Sequence, residues 1–225
     1  MHRIANDAGR LDLERRLESV RQSPAEIVFV SSADTELSAL ARIWGPEFGN
    51  RLRLMNAASL QHPEAAEHYA DHVLFNARIA IFRLHGGKAY FPKLLEELLH
   101  IKSHGATVRT LVLAGTDEWD PELATYSDYA EPLARTIFDY FREGGITNYE
   151  HAAKAIGALL ENQTGPFPEV EKNPTFGWYS ASTINNQVHC NGRVWITFYR
   201  AWQQTGDLAV VDELALELNR LALEV

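Results

Sequence analysis

Apolar positions in the first 160 residues follow two rhythms. Short unbroken runs read as buried strands at Glu26 to Val30, Arg51 to Met55, Arg78 to Leu84 and Thr107 to Leu113. Between them the apolar residues recur at helical spacing. Leu37, Leu40, Ala41 and Trp44 share one helix face, with Asp34 or a neighbour placed to cap it. Pro63 suits the first turn of a helix whose stripe is Ala66, Tyr69, Ala70, Val73, Leu74 and Ala77. Phe91, Leu94, Leu95, Leu98 and Ile101 mark a third helix, which Gly105 is placed to end. Beyond a turn-rich passage from Gly115 to Pro121, two further helices run through Leu133, Ile137, Phe138 and Phe141, and through Ala152, Ile156, Leu159 and Leu160. The pair Gly144-Gly145 separates them. Strands alternating with helices predict an α/β fold, a doubly wound and mostly parallel sheet with helices on both faces.

After Asn162 the rhythm is lost. Prolines at 166, 168 and 174 and several Asn and Gln residues read as a long connector. A fifth strand is expected at Val194 to Tyr199, then a helix through Leu208, Val211, Leu214, Ala215 and Leu218. The resulting division is a head domain over 1–161, a connector over 162–193 and a strand–helix unit over 194–225 that can begin a second domain. Another strand belongs after that last helix, so the ending reads as interrupted between elements.

Composition removes several classes of function. A formal net charge of −9 repels phosphate backbones, and no basic cluster interleaved with aromatics offsets it, so nucleic acid is not an expected partner. No apolar run approaches the roughly 20 residues that span a bilayer, and the first seven residues lack the apolar stretch of a secretory signal. Cys190 is the only cysteine, which excludes an internal disulfide. A cytoplasmic location is the expectation from all of these.

No phosphate-binding loop, dinucleotide fingerprint or nucleophile elbow follows any strand, so no catalytic nucleophile is indicated. His68 and His72, like His100 and His104, stand four apart on helices, a spacing that can hold a metal. Neither pair is followed by a third ligand or by the Glu of a HExxH site, and the favoured reading is two unrelated surface pairs, with no metal site. His189-Cys190 lies in an extended segment, where neighbouring side chains point to opposite faces. The aromatics between Trp178 and Trp202 read equally as a docking surface or as core.

Ordered motifs carry a family resemblance. They are Met1-His2-Arg3-Ile4-Ala5, Ser31-Ser32-Ala33-Asp34-Thr35-Glu36-Leu37, Arg83-Leu84-His85-Gly86-Gly87-Lys88-Ala89-Tyr90 and Leu113-Ala114-Gly115-Thr116-Asp117. Asp120-Pro121-Glu122-Leu123, Tyr140-Phe141-Arg142-Glu143-Gly144-Gly145-Ile146-Thr147-Asn148 and Phe198-Tyr199-Arg200-Ala201 complete the series. In order and spacing the chain resembles the N-terminal region of the large cobaltochelatase subunit, the CobN type, homologous to the magnesium chelatase large subunit. The match from Met1 suggests a piece that keeps the true N-terminus. The family commonly has Leu where His85 stands, Trp where Phe91 stands, and two acidic residues at Thr116-Asp117.

The resemblance implies an ATP-dependent complex that inserts cobalt into hydrogenobyrinic acid a,c-diamide in cobalamin biosynthesis. It implies as partners an AAA+ ATPase subunit, which binds ATP with Mg, a third chelatase subunit and the remainder of the large subunit. The reaction chamber lies in other parts of such proteins, so this piece is expected to carry no cofactor, no metal and no catalytic residue, and to be inactive alone. The alternatives are part of a magnesium chelatase large subunit acting on protoporphyrin IX, and a non-catalytic binding or scaffold module. In an open parallel sheet, ligands bind at the carboxyl ends of the strands. The candidate ligand-binding edge is therefore Asp34, Thr35, Arg83, His85, Gly86, Gly87, Tyr90 and Asp117. There the glycines permit close approach, and Arg83 can pair with a tetrapyrrole carboxylate. The plainer reading is that the glycines make a tight turn and Asp34 caps a helix.

Overall fold

A computed structural model describes residues 14, 17–173, 176, 179, 191–221 and 223–224. Met1 to Ala5, Trp178 and His189-Cys190 lie outside the described residues. Four parallel strands form the core: β1 (Ile27–Ser31), β2 (Leu52–Asn56), β3 (Ile79–Leu84) and β4 (Arg109–Ala114), in the order β2-β1-β3-β4. Each lies within two residues of its expected start. β1 and β3 are buried along their whole length, as an unbroken apolar run flanked by strands on both sides requires.

Helices α1 (Asp34–Phe48), α2 (Pro63–His72) and α3 (Pro92–Ser103) make the three crossovers. Because the chain steps from β1 to β2 in one direction and then returns past β1 to β3, right-handed connections put α1 on one face and α2 and α3 on the other. After β4 come the short α4 (Pro121–Ala124), then α5 (Glu131–Glu143) and α6 (Ile146–Leu160), with α6 packed on α1 and α5. Both faces of the sheet are thus covered, as expected of a doubly wound fold. Trp44, Phe29, Phe48 and Phe141 interlock beneath α1 with ring centroids 5.2 to 6.0 Å apart, and the Trp44 indole donates 2.8 Å to the Tyr149 carbonyl of α6. No helix among the described residues is long and apolar enough to cross a membrane.

Pro63 and Pro92 open their helices as first-turn prolines, and the expected stripes of α2 and α3 are all buried. On α1 the face is rotated slightly: Ala41 is exposed and Glu36 is buried in its place. Asp34 is not the cap of this helix. The N-cap is Ala33, whose amide donates 3.1 Å to Ser31 Oγ, and Asp34 sits in the first turn.

The expected fifth strand at Val194 to Tyr199 is absent as a strand. Side chains there alternate between half-buried and exposed, yet the backbone joins no ladder. The pairing lies just before it, where β5 (Gly192–Arg193) runs parallel to β6 (Leu223–Glu224), the short strand that follows the last helix. The main sheet offers no room at its β4 edge, because nearby side chains occupy the outward backbone groups. Thr110 N donates 2.7 Å to Asp128 Oδ2, Val112 N donates 2.8 Å to Ser127 Oγ, and Asp128 N donates 2.9 Å to the Thr110 carbonyl. Burial alone would raise the Asp128 carboxyl, but Lys102 and the Thr110 amide and hydroxyl outweigh it and hold it below the usual aspartate range.

The first part of the connector is not free chain. Phe167 and Val170 pack on the core, and the Tyr140 hydroxyl donates to the Pro168 carbonyl. Asn148 fastens the same strap in both directions, donating 2.7 Å to the Glu171 carbonyl and accepting 2.9 Å from its amide. Helices α7 (Arg200–Thr205) and α8 (Ala209–Arg220) complete the described chain.

Candidate functional site

The strand order reverses between β1 and β3, so the loops after them border the crevice in which open α/β sheets bind ligands. Three loops are tied together there. Ser32 N donates 3.2 Å to the Arg83 carbonyl, His85 N donates 3.3 Å to Ser32 Oγ, and Gly115 N donates 2.9 Å to the Leu84 carbonyl. Asn56, at the end of β2, joins the group by donating 2.5 Å to Asp34 Oδ1.

His85 is exposed at the surface of this assembly, seated directly over Gly115. A Cβ on Gly115 would stand 2.6 Å from Cε1 of the imidazole, so the glycine is what lets the ring lie there. Partial burial and then the Arg83 cation hold the imidazole below its ordinary pKa, with Glu36 pulling the other way. Gly86 and Gly87 have φ of 90° and 70°, a region that favours glycine, so the tight-turn reading of this pair has its geometric basis. The Tyr90 ring lies against Gly86 yet is 64% exposed. Thr35 and Asp117 are exposed as well, and Asp117 reaches Arg200 of α7 at 3.8 Å.

Arg83 does not face the crevice. Its Nε is 3.3 Å from Glu36 Oε1, its Nη1 donates 2.7 Å to the Ala114 carbonyl, and its guanidinium lies 5.5 Å from the centre of the Phe141 ring. Ser31 Oγ donates 2.5 Å to the other oxygen of Glu36. The carboxylate that Arg83 meets in this structure is the chain's own, that of Glu36. The cluster holds β1, α1, β3 and β4 together from below the loops. Other cations near the crevice are also engaged, Lys88 with Glu122 at 3.0 Å and Arg200 with Glu143 at 3.4 Å.

Glu36, Ser31, Ser32 and Gly115 belong to this arrangement; the sequence placed them in the ordered motifs but not among the candidate edge residues. One signal for Glu36 was present. An arginine within the apolar run Ile79-Ala80-Ile81-Phe82-Arg83-Leu84 has to find a buried acid, because an unpaired charge there is too costly.

The motif from Tyr140 to Asn148 forms a second polar cluster, the socket for α7. Gly145 N donates 2.6 Å to the Gln204 carbonyl, Gln204 Nε2 donates 2.8 Å to the Arg142 carbonyl, and Arg42 Nη2 donates 2.5 Å to the Thr205 carbonyl. Asn173 donates from its amide to Glu143 Oε2 at 3.2 Å and from its side chain to the Gly144 carbonyl at 2.7 Å. A cavity of about 300 Å³ lies at the opposite end of the sheet, between Arg78, Arg109 and the end of α6. Its arginines donate to the Leu160 and Leu159 carbonyls, the last of that helix, and so act as a C-terminal cap.

No family model matches the chain. It is similar to the aerobic cobaltochelatase subunit CobN of Sinorhizobium sp, at 30% identity over 230 residues that cover 95% of this chain and 18% of that protein. The aerobic cobaltochelatase subunit CobN of Pseudomonas aeruginosa is 31% identical over 150 residues, covering 66% of this chain and 12% of its own length. The fold is similar to that of the catalytic subunit of cobaltochelatase from Mycobacterium tuberculosis, with a TM-score of 0.60 and 18% identity, over 90% of this chain and 16% of that one. The resemblance carried by the ordered motifs therefore extends over nearly the whole chain, which spans less than a fifth of the length of these relatives.

Proposed function

We propose that the chain serves as the α/β head region of the large subunit of an ATP-dependent cobaltochelatase, supporting the insertion of cobalt into hydrogenobyrinic acid a,c-diamide. The observation that carries this reading is the similarity to CobN over 95% of the chain. On this reading an AAA+ ATPase subunit supplies the energy, a third subunit joins the complex, and the remainder of the large subunit encloses the ring and the metal.

Within such a subunit the region acts as scaffold. Arg83, the strongest candidate for holding a substrate carboxylate, is consumed by Glu36 and the Ala114 carbonyl. The loop edge is braced by bonds among its own residues. It leaves outward the His85 imidazole, the Tyr90 ring, the Thr35 hydroxyl, the Lys88 amine that meets Glu122 and the carboxylates of Asp34 and Asp117, a surface that can make accessory contacts.

A chimaera tests the proposal. The matching segment of the full-length Sinorhizobium subunit is replaced by this chain, and cobalt insertion is measured with the ATPase and third subunits present. Retained, ATP-dependent insertion is the expected result. A folded chimaera that assembles but inserts no cobalt would overturn the assignment, and activity with magnesium and protoporphyrin IX in the equivalent magnesium system would move it to that branch.

A further inference from the structure

The face of the sheet away from α1 carries a grouping that the crevice and its loops do not use. Helices α2 and α3 lie side by side there, and both run antiparallel to the strands, so their C-terminal ends share one edge of the fold. Each end carries two histidines four residues apart: His72 in the last turn of α2 with His68 one turn before it, His100 in the last turn of α3 and His104 at its C-cap. Four of the nine histidines in the chain are thus gathered at one edge.

The two pairs share the same internal geometry. The rings of His68 and His72 face each other at 4.1 Å with 30° between their planes, and those of His100 and His104 at 4.2 Å with 39°. In each pair the Nδ1 of the second histidine lies 2.9 Å from the carbonyl oxygen of the first. A carbonyl only accepts, so Nδ1 carries a proton, and the lone pair of the neutral ring is left on Nε2. An imidazole oriented by donating its other N–H to a backbone carbonyl is the arrangement that metal-ligating histidines adopt. The negative end of each helix dipole favours a cation at the same place. Among the described residues no three His, Cys, Asp or Glu side chains converge on one point, so each pair offers two ligands and water completes the shell.

We propose that the His68–His72 and His100–His104 pairs are two neighbouring bis-imidazole sites for divalent transition-metal ions that favour imidazole, such as Co²⁺, Ni²⁺ or Zn²⁺. Geometry at the helix ends supports this independently of any role in a chelatase, and the sites lie on a different part of the fold from the crevice residue His85.

Calorimetric titration of the untagged chain with Co²⁺, reversed by a chelator, tests it. Two ions per chain are expected. His72→Ala should remove one ion and leave the other, His104→Ala should remove the second, and the double variant should bind neither. His85→Ala and His189→Ala should leave the stoichiometry at two. Because His72, His85 and His104 are exposed, circular dichroism should report an unchanged fold in the variants at these positions. A folded wild-type chain that takes up no cobalt would overturn the proposal, as would a double variant that still binds two ions.

Discussion

The Arg83 guanidinium and the Glu36 carboxylate meet beneath the crevice with their side chains only 6% and 8% exposed. Removing one partner leaves the other charge buried. Glu36→Ala should therefore cost about 3–5 kcal/mol in denaturant-melt stability. Arg83→Met combined with Glu36→Leu, which removes both charges, should recover most of that loss. A single variant that melts like the wild type would show that the pair does not brace the loops.

A second prediction concerns the seat of His85. Gly115→Ala places a methyl group where the imidazole lies, and the ring, being exposed, has room to move away. Away from its partial burial and from Arg83, its pKa should rise toward the ordinary value of 6.5, as read by nuclear magnetic resonance titration. The sign of the stability effect follows. With its folded-state pKa depressed, His85 binds fewer protons in the folded chain than in the unfolded one. Its contribution is fully present above about pH 6.5 and is lost as the pH falls through the folded value. His85→Gln should remove that loss, flattening the stability profile on the acid side of neutrality.

Four strands and six of the helices were readable, the strands from short apolar runs such as the unbroken Ile79 to Leu84 and the helices from one buried face, as the stripe Leu94, Leu95, Leu98 and Ile101 illustrates. The fifth strand misled for a physical reason. Val194 to Tyr199 does alternate, but strand formation needs a free edge. The β4 edge is taken by Asp128 and Ser127, side chains whose roles have no local signature. At the crevice, the loops were located correctly because topology alone places them. The intramolecular partner of Arg83 was not placed, since Glu36 lies 47 residues away and only the packing of α1 on β3 brings them together.

Gly144 offers a test of how the last helices are held. Its φ is 66°, and a Cβ there would stand 2.6 Å from Cβ and 3.1 Å from Cα of Gln204 in α7. With ψ at −162° it lies in an extended region open essentially to glycine alone, so Gly144→Ala should cost about 1–3 kcal/mol from backbone strain alone and should also push α7 from its socket. Hydrogen exchange is expected to accelerate across 200–205 while β1 and β3 stay protected. Equal protection of 200–205 in both proteins would mean that the glycine is not what admits the helix.

The β4 edge gives the last prediction. Asp128 Oδ2 accepts from Thr110 N at 2.7 Å and from Lys102 Nζ at 2.6 Å, closing the sheet where another strand would otherwise add. Asp128→Ala strands the Thr110 amide and should cost about 1–3 kcal/mol. It also opens an unpaired edge, so concentration-dependent self-association should appear in sedimentation experiments. The carboxyl is held below its ordinary value of 3.8, so its contribution is complete above that value and is lost as the pH falls through the folded-state pKa. Asp128→Asn keeps an acceptor oxygen for Thr110 but no charge for Lys102. It should lie between wild type and Asp128→Ala in stability, associate no more than wild type, and lose the part of the acid sensitivity that Asp128 supplies. An asparagine variant that associates as readily as the alanine variant would show that the charge, rather than the hydrogen bond to Thr110, guards the edge.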